Sequence, residues 1–177
     1  MNGIVIYGSN YGTTQKYSEE LAKRMDLKCL NFKELKDIND YDKIIYLGGL
    51  YAGGILGMEK TFKKVTTPNN KKIVIVTVGL ADPKDEENIK AINNNIKKQL
   101  SPEIFEKAQI FNLRGGIDYS KLNFLHKSMM KLLYNKIKNI PEDERTAEVK
   151  GLIETYNKNV SFVDLNALTD IIDCLKL

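Results

Sequence analysis

The chain has 177 residues, 42% hydrophobic and 28% charged, with a formal net charge of +4. That is the balance of an ordinary soluble globular protein with enough length for one sizeable core. No apolar run approaches the roughly 20 residues of a membrane-spanning helix. Two well-separated cysteines, Cys29 and Cys174, fit buried thiols in a reducing cytoplasm better than a disulfide framework.

In chain order, the opening MNGIVIYG lacks a basic leader and a long apolar core, so it reads as a strand over residues 3–8 and not as a signal peptide. Residues 13–26 place Tyr17, Leu21 and Met25 on one side and Glu19, Glu20, Lys23 and Arg24 on the other, which predicts an amphipathic helix. Further strands are predicted over 27–32, 43–49, 71–79 and 108–113, with helices over 57–65 and 85–99. The chain ends in a helix with Leu168, Ile171, Ile172 and Leu175 on one face. Alternation of strand and helix up to about residue 113 predicts a parallel sheet. The first, third and fourth strands are nearly continuous in Ile, Val and Leu, as central strands covered on both faces must be. The expectation is a single α/β domain over 1–177: a doubly wound five-stranded parallel sheet with helices on both faces, and a long insertion over approximately 114–159 near the fifth strand.

Such sheets bind ligands outside the carboxyl ends of their strands. The loops there are Ser9, Asn10, Tyr11, Gly12, Thr13 and Thr14 after the first strand; Gly48, Gly49, Leu50, Tyr51, Ala52, Gly53 and Gly54 after the third; and Gly79, Leu80, Ala81, Asp82 and Pro83 after the fourth. Together they would frame one crevice. The first is rich in hydroxyls, small residues and backbone amides, which suits a phosphate at a helix N-terminus. The simpler alternative is a turn in which Thr13 or Thr14 only caps the helix. Neither a Walker A loop nor a dinucleotide fingerprint fits the glycine spacing. No acidic pair ends the first strand to hold a metal, and no nucleophile has an evident activating base. The single histidine, His126, lies outside all three loops and is expected to be a surface or packing residue, so no catalytic residue is assigned.

The first loop resembles the flavodoxin phosphate loop, [ST]-x-[ST]-G-x-T, with Ser9, Gly12 and Thr14 in register and Tyr11 departing from the third position. The resemblance implies non-covalent FMN, its phosphate held by neutral donors. It also implies that Tyr51 stacks on the flavin, with Gly49, Leu50, Ala52 and Gly53 approaching the ring and Gly79, Leu80, Ala81 and Asp82 at its other side. On the residues alone, Tyr51 packed on the sheet edge beside a plain turn remains the alternative. The third loop lacks the tyrosine that covers the second flavin face in typical flavodoxins, which implies a more open face.

Residues 114–140 carry six basic side chains, Arg114, Lys121, Lys127, Lys131, Lys136 and Lys138, against the single Asp118. This exceeds the net charge of the whole chain, so the basicity is local. Leu122, Leu125, Met129 and Leu133 share one helical face, widened by Leu132 and Ile137, while Lys127, Lys131 and Lys138 share another. A basic amphipathic helix either lies on an anionic membrane or partner, or packs its apolar face into the core. The stretch Gly115–Gly116–Ile117–Asp118–Tyr119 and the Met-rich basic helix after it are similar to the insertion of flavodoxin-like protoporphyrinogen oxidases. That resemblance implies a quinone acceptor and a cytoplasmic protein with peripheral membrane contact through 114–140. The other expectations are a soluble flavodoxin carrying electrons to a redox partner, and a non-redox scaffold on the same fold. Without an aromatic platform or a reading motif, the basic patch does not point to nucleic acid.

Overall fold

The computed structural model describes residues 2–51 and 54–176; Ala52 and Gly53 lie outside the described residues. In chain order its main elements are β1 (Gly3–Gly8), α1 (Thr13–Met25), β2 (Lys28–Asn31), β3 (Lys43–Tyr51), β4 (Gly54–Ile55), α2 (Met58–Phe62), β5 (Lys72–Gly79), α3 (Glu86–Gln99), α4 (Pro102–Lys107) and β6 (Gln109–Arg114). They are followed by β7 (Gly116–Asp118), α5 (Phe124–Ile137), α6 (Ala147–Thr155), β8 (Asn159–Ser161) and α7 (Leu168–Lys176). The five predicted strands form the sheet in the order β2-β1-β3-β5-β6, every neighbouring pair parallel. The structure is thus a doubly wound α/β fold. The short β4 folds back antiparallel on the end of β3 as a sixth strand.

Strand alternation sorts the inner residues into two cores. Ile4, Ile6, Ile44, Tyr46, Ile73 and Ile75 face Met58, Phe62, Ile92, Ile96 and Ile104 of α2, α3 and α4. Val5, Ile45, Leu47, Val74, Val76 and Val78 face Tyr17 and Leu21 of α1 and Leu168, Ile171 and Leu175 of α7. At the amino ends of the strands, Lys43 and Lys72 donate to the carbonyls of Leu175 at 2.5 Å and Cys174 at 2.6 Å. These ammonium groups satisfy orphan acceptors at the negative end of α7.

The segment before α7 forms a short strand that does not extend the main sheet. β8 pairs antiparallel with β7 in a separate two-stranded ribbon, with Asp118 opposite Asn159. Both cysteines are free and half-buried, less enclosed than expected. Burial pushes the Cys29 thiol up to about 11, so it stays protonated at neutral pH and is no activated nucleophile.

Tyr17 joins the sheet to the C-terminal segment. Its hydroxyl donates to the Arg114 carbonyl at 2.9 Å and accepts from the Asp164 amide at 2.9 Å, and the residue is almost fully buried. Tyr17→Phe keeps the ring but orphans both backbone groups, at a cost of about 1–3 kcal/mol. Urea denaturation is expected to show a lower midpoint with an unchanged slope; a midpoint equal to wild type would show that water replaces the hydroxyl without penalty.

Candidate functional site

The loop after β1 turns at Gly12, whose φ of 91° is left-handed and whose Cβ position has no described residue within 4 Å. Gly12 is also the N-cap residue of α1, and among the described residues no side chain caps that helix. Thr13 and Thr14 are its first two residues, so neither plays the capping role that was the simpler alternative. The first turn of α1 carries no acid either, whereas α3 has Asp85 as its cap and Glu86 and Glu87 behind it. The positive end of α1 is left uncompensated. Ser9 Oγ accepts from the Gly12 amide at 3.0 Å and draws the loop tight.

The second loop meets the first. Tyr51, 37% exposed, accepts a hydrogen bond on its hydroxyl from the Asn10 amide at 3.2 Å. Its ring passes beside Gly49, where a Cβ would lie 2.9 Å from Cε2 of Tyr51 and 3.2 Å from Oγ1 of Thr14. Partial burial pushes the Tyr51 phenol above its ordinary range, although the bond from Asn10 opposes this. A depression of about 340 Å³ adjoins Tyr51, lined also by Phe32, Leu56, Gly57 and Gln99.

The third loop joins the second through Leu50, whose Cδ1 occupies the space that a side chain at Gly79 would need. Asp82 accepts from the Lys84 amide at 2.9 Å, and its carbonyl accepts from Asn88 at 2.7 Å, so it shapes the entry to α3. The insertion borders this loop. The Gly115 amide donates to the Gly79 carbonyl at 2.7 Å, and Arg114 Nε donates to the Leu80 carbonyl at 3.0 Å. Gly151 of α6 lies so close that a Cβ there would sit 3.1 Å from Cα of Ala81. The three loops therefore meet at the carboxyl edge of the sheet through Asn10 and Tyr51, Thr14 and Gly49, and Leu50 and Gly79.

Two side chains have roles that local pattern did not reveal. Arg114, read as part of the basic patch, is spent internally: it bonds the third loop, pairs with Glu154 at 2.8 Å and stacks its guanidinium 3.6 Å from the Phe162 ring centroid. His126, expected at the surface or in packing, reaches the first loop: its Nδ1 and the Tyr11 hydroxyl are hydrogen-bonded, with the rings edge to face at 5.6 Å. No short-range signal marks a contact across 115 positions.

The arrangement of α5 also departs from a packed amphipathic helix. Leu122 and Ile137 are buried, but Phe124, Leu125, Met129, Leu132 and Leu133 are exposed, Phe124 at 87% and Leu132 at 72%. The apolar ridge faces solvent. Among the described residues no helix is long and apolar enough to cross a membrane.

A doubly wound sheet of this strand order, with an uncapped helix after the first strand and three loops gathered at one edge, defines the flavodoxin class of fold. The Flavodoxin domain family matches residues 4–144, and the chain belongs to that family. Among solved structures, oxidised flavodoxin 2 from Bacillus cereus is 16% identical over 64% of this chain and 84% of its own, with a TM-score of 0.44. A Fusobacterium nucleatum flavodoxin bound to flavin mononucleotide is 20% identical over 70% of this chain and 75% of its own, with a TM-score of 0.41. No curated protein matches the chain.

The contact between Tyr11 and His126 ties the start of α5 to the first loop. Tyr11→Phe removes the hydroxyl and is expected to speed amide exchange in the first turns of α5 at least severalfold while the inner strands exchange as before. Unchanged protection in α5 would mean that Asn123, which caps the helix through the His126 amide at 2.8 Å, holds it alone.

Proposed function

We propose that the chain is a redox protein that binds FMN on the three-loop rim. The observation that carries this reading is the uncapped, acid-free N-terminus of α1 beneath a hydroxyl-rich loop with no charged side chain. Those donors fit a phosphate monoester. Ser9, Asn10, Tyr11, Gly12, Thr13 and Thr14 would hold the phosphate. Gly49, Leu50 and Tyr51, with Ala52 and Gly53 beside them, would meet the flavin ring, and Gly79, Leu80, Ala81 and Asp82 would border it. The bound ring supplies the electron chemistry, while the protein positions it, excludes water and tunes its potential. Tyr51 already reaches over the first loop, and a phosphate oxygen competing for the Asn10 amide would release its phenol.

The same reading assigns α5 to docking on an anionic membrane surface. Its exposed ridge of Phe124, Leu125, Met129, Leu132 and Leu133 runs beside Lys127, Lys131, Lys136 and Lys138, which is the pairing of apolar area and positive charge that an anionic interface attracts. This arrangement favours a membrane quinone as electron acceptor over a soluble redox partner, and with it an enzyme of the protoporphyrinogen oxidase type.

Purified protein reconstituted with FMN is expected to show flavin absorption. Thr14→Val should weaken FMN about tenfold or more, the cost of one hydrogen bond to a charged group. Tyr51→Ala should cost about 1 kcal/mol in stacking and shift the flavin potential, whereas Tyr51→Phe should retain both. FMN affinity no higher than that of an unrelated protein would end the flavin reading; equal behaviour of wild type and Tyr51→Ala would return Tyr51 to packing.

Docking has its own test. Leu125→Gln with Leu132→Gln changes only exposed positions, so it should leave the thermal midpoint and FMN affinity intact. It should also cut binding to phosphatidylglycerol vesicles and turnover with menaquinone carried in those vesicles. Exchanging Lys127, Lys131 and Lys138 for Gln should weaken vesicle binding by roughly 1 kcal/mol per lysine, with a reduced salt dependence. Vesicle binding unchanged in both variants would leave a soluble electron carrier.

A further inference from the structure

A second cleft, of about 570 Å³, opens between α5 and the β7–β8 ribbon and shares no residue with the three loops. Three lysines line it: Lys127 and Lys131, one turn apart on α5, and Lys158, on the approach to β8. Among the described residues none of the three is in an ion pair; the salt bridges fall elsewhere. The only carboxylate in the lining, Asp118, is engaged: it accepts from the Ser120 amide at 3.0 Å and the Ser120 hydroxyl at 2.6 Å, with Lys121 at 3.7 Å. The hydrogen bond from the Ser120 hydroxyl, foremost, holds the Asp118 carboxyl below its usual range, so it remains an anion turned to its own neighbours. The cleft therefore keeps an excess of two positive charges.

Its walls are held by ring contacts and a backbone hydrogen bond. Tyr156 stacks on Tyr134 with ring centroids 3.8 Å apart and 5° between planes, and Tyr119 meets Tyr156 edge to face at 5.5 Å. The Tyr119 amide donates to the Lys158 carbonyl at 3.3 Å, which fixes the backbone that carries Lys158. The Tyr119 hydroxyl is buried without a well-formed hydrogen bond, although the Asn157 backbone lies close. Like charges brought together on separate, braced elements repel unless an anion sits among them. A cleft of this size exceeds what a bare inorganic ion needs and adds an aromatic wall for an organic body.

We propose that the cleft formed by Lys127, Lys131 and Lys158 is a second binding site, for a dianionic phosphate carried on an organic body that lies against Tyr119 and Tyr156. A phosphate monoester carries close to two charges at neutral pH and offers three acceptor oxygens to the lysines. The site does not rest on the flavin reading, because its residues lie outside the three loops. The phosphate belongs either to a soluble ester or to a lipid headgroup reached when α5 lies on a membrane.

Titration of the FMN-treated full chain with inorganic pyrophosphate, followed by calorimetry, tests the soluble source, and flotation with phosphatidylcholine vesicles containing phosphatidic acid tests the lipid source. In either assay Lys131→Gln and Lys158→Gln are each expected to weaken binding about tenfold, and Lys97→Gln on α3 to leave it unchanged. Pyrophosphate binding that depends on Lys158 assigns the site to soluble phosphates. Vesicle binding that depends on Lys158, without a pyrophosphate response, assigns it to a headgroup. Thr14→Val, which strikes the first loop, should leave Lys158-dependent binding intact, so failure of the flavin reading and failure of this one are separable. If Lys158→Gln changes neither assay, whatever Lys131→Gln does, or if Lys97→Gln weakens binding as much, the cleft is only solvated surface.

Discussion

Burial of the three inner strands on both faces is the constraint on which the rest of the structure depends. Ile, Val and Leu alternate between two helix-covered cores, and the polar groups buried among them are spent internally, Thr77 on Asn112 and the Tyr46 hydroxyl on the Leu56 carbonyl. Chemistry must then be placed where the strands end. At the amino edge Lys43 and Lys72 are consumed in holding α7. At the carboxyl edge the chain turns sharply and leaves amides and hydroxyls exposed, and there the three loops meet.

The first loop shows why a neutral site suits a charged ligand. A lysine in the loop would bind phosphate as a point charge, but backbone amides and hydroxyls at an uncapped helix end need no counter-charge when the ligand is absent. What the loop leaves unsatisfied is small and wet, and Tyr51 meets part of it by accepting from Asn10. The residue proposed to stack on the ring thus also braces the free loop.

The region after β6 follows a different logic. Between β6 and α7 the chain contributes little to the two main cores and is instead pinned at the rim by Arg114 at the end of β6 and by Gly115, Gly151 and His126. These contacts use up its core-facing side, so α5 presents its leucines and methionines outward and its lysines partly toward the tyrosine-walled cleft. The helix is amphipathic in the reverse of the usual sense, with its apolar ridge exposed to solvent.

Much of this was legible in the sequence. The runs of Ile and Val, the small-residue turns and the period of α1 are local consequences of backbone sterics and burial, and they determined the parallel sheet and its strands within one or two residues; the second loop, read over 48–54, is mostly strand, since Gly48–Tyr51 continue β3 and Gly54 opens β4. Ser9, Gly12 and Thr14 marked the first loop because spacing in a turn is also local. Other features depended on which surfaces come together. Spacing identified an apolar stripe on α5 but not whether it faced the core, since that rests on what space α1, α6 and the rim had already filled. His126 at Tyr11, Arg114 under the third loop and Lys158 opposite Lys131 are pairings across long stretches of chain, and β8 chose β7 over the main sheet for the same reason. Only the tertiary structure decided these, because they follow from the packing geometry of distant elements and leave no periodicity in either partner.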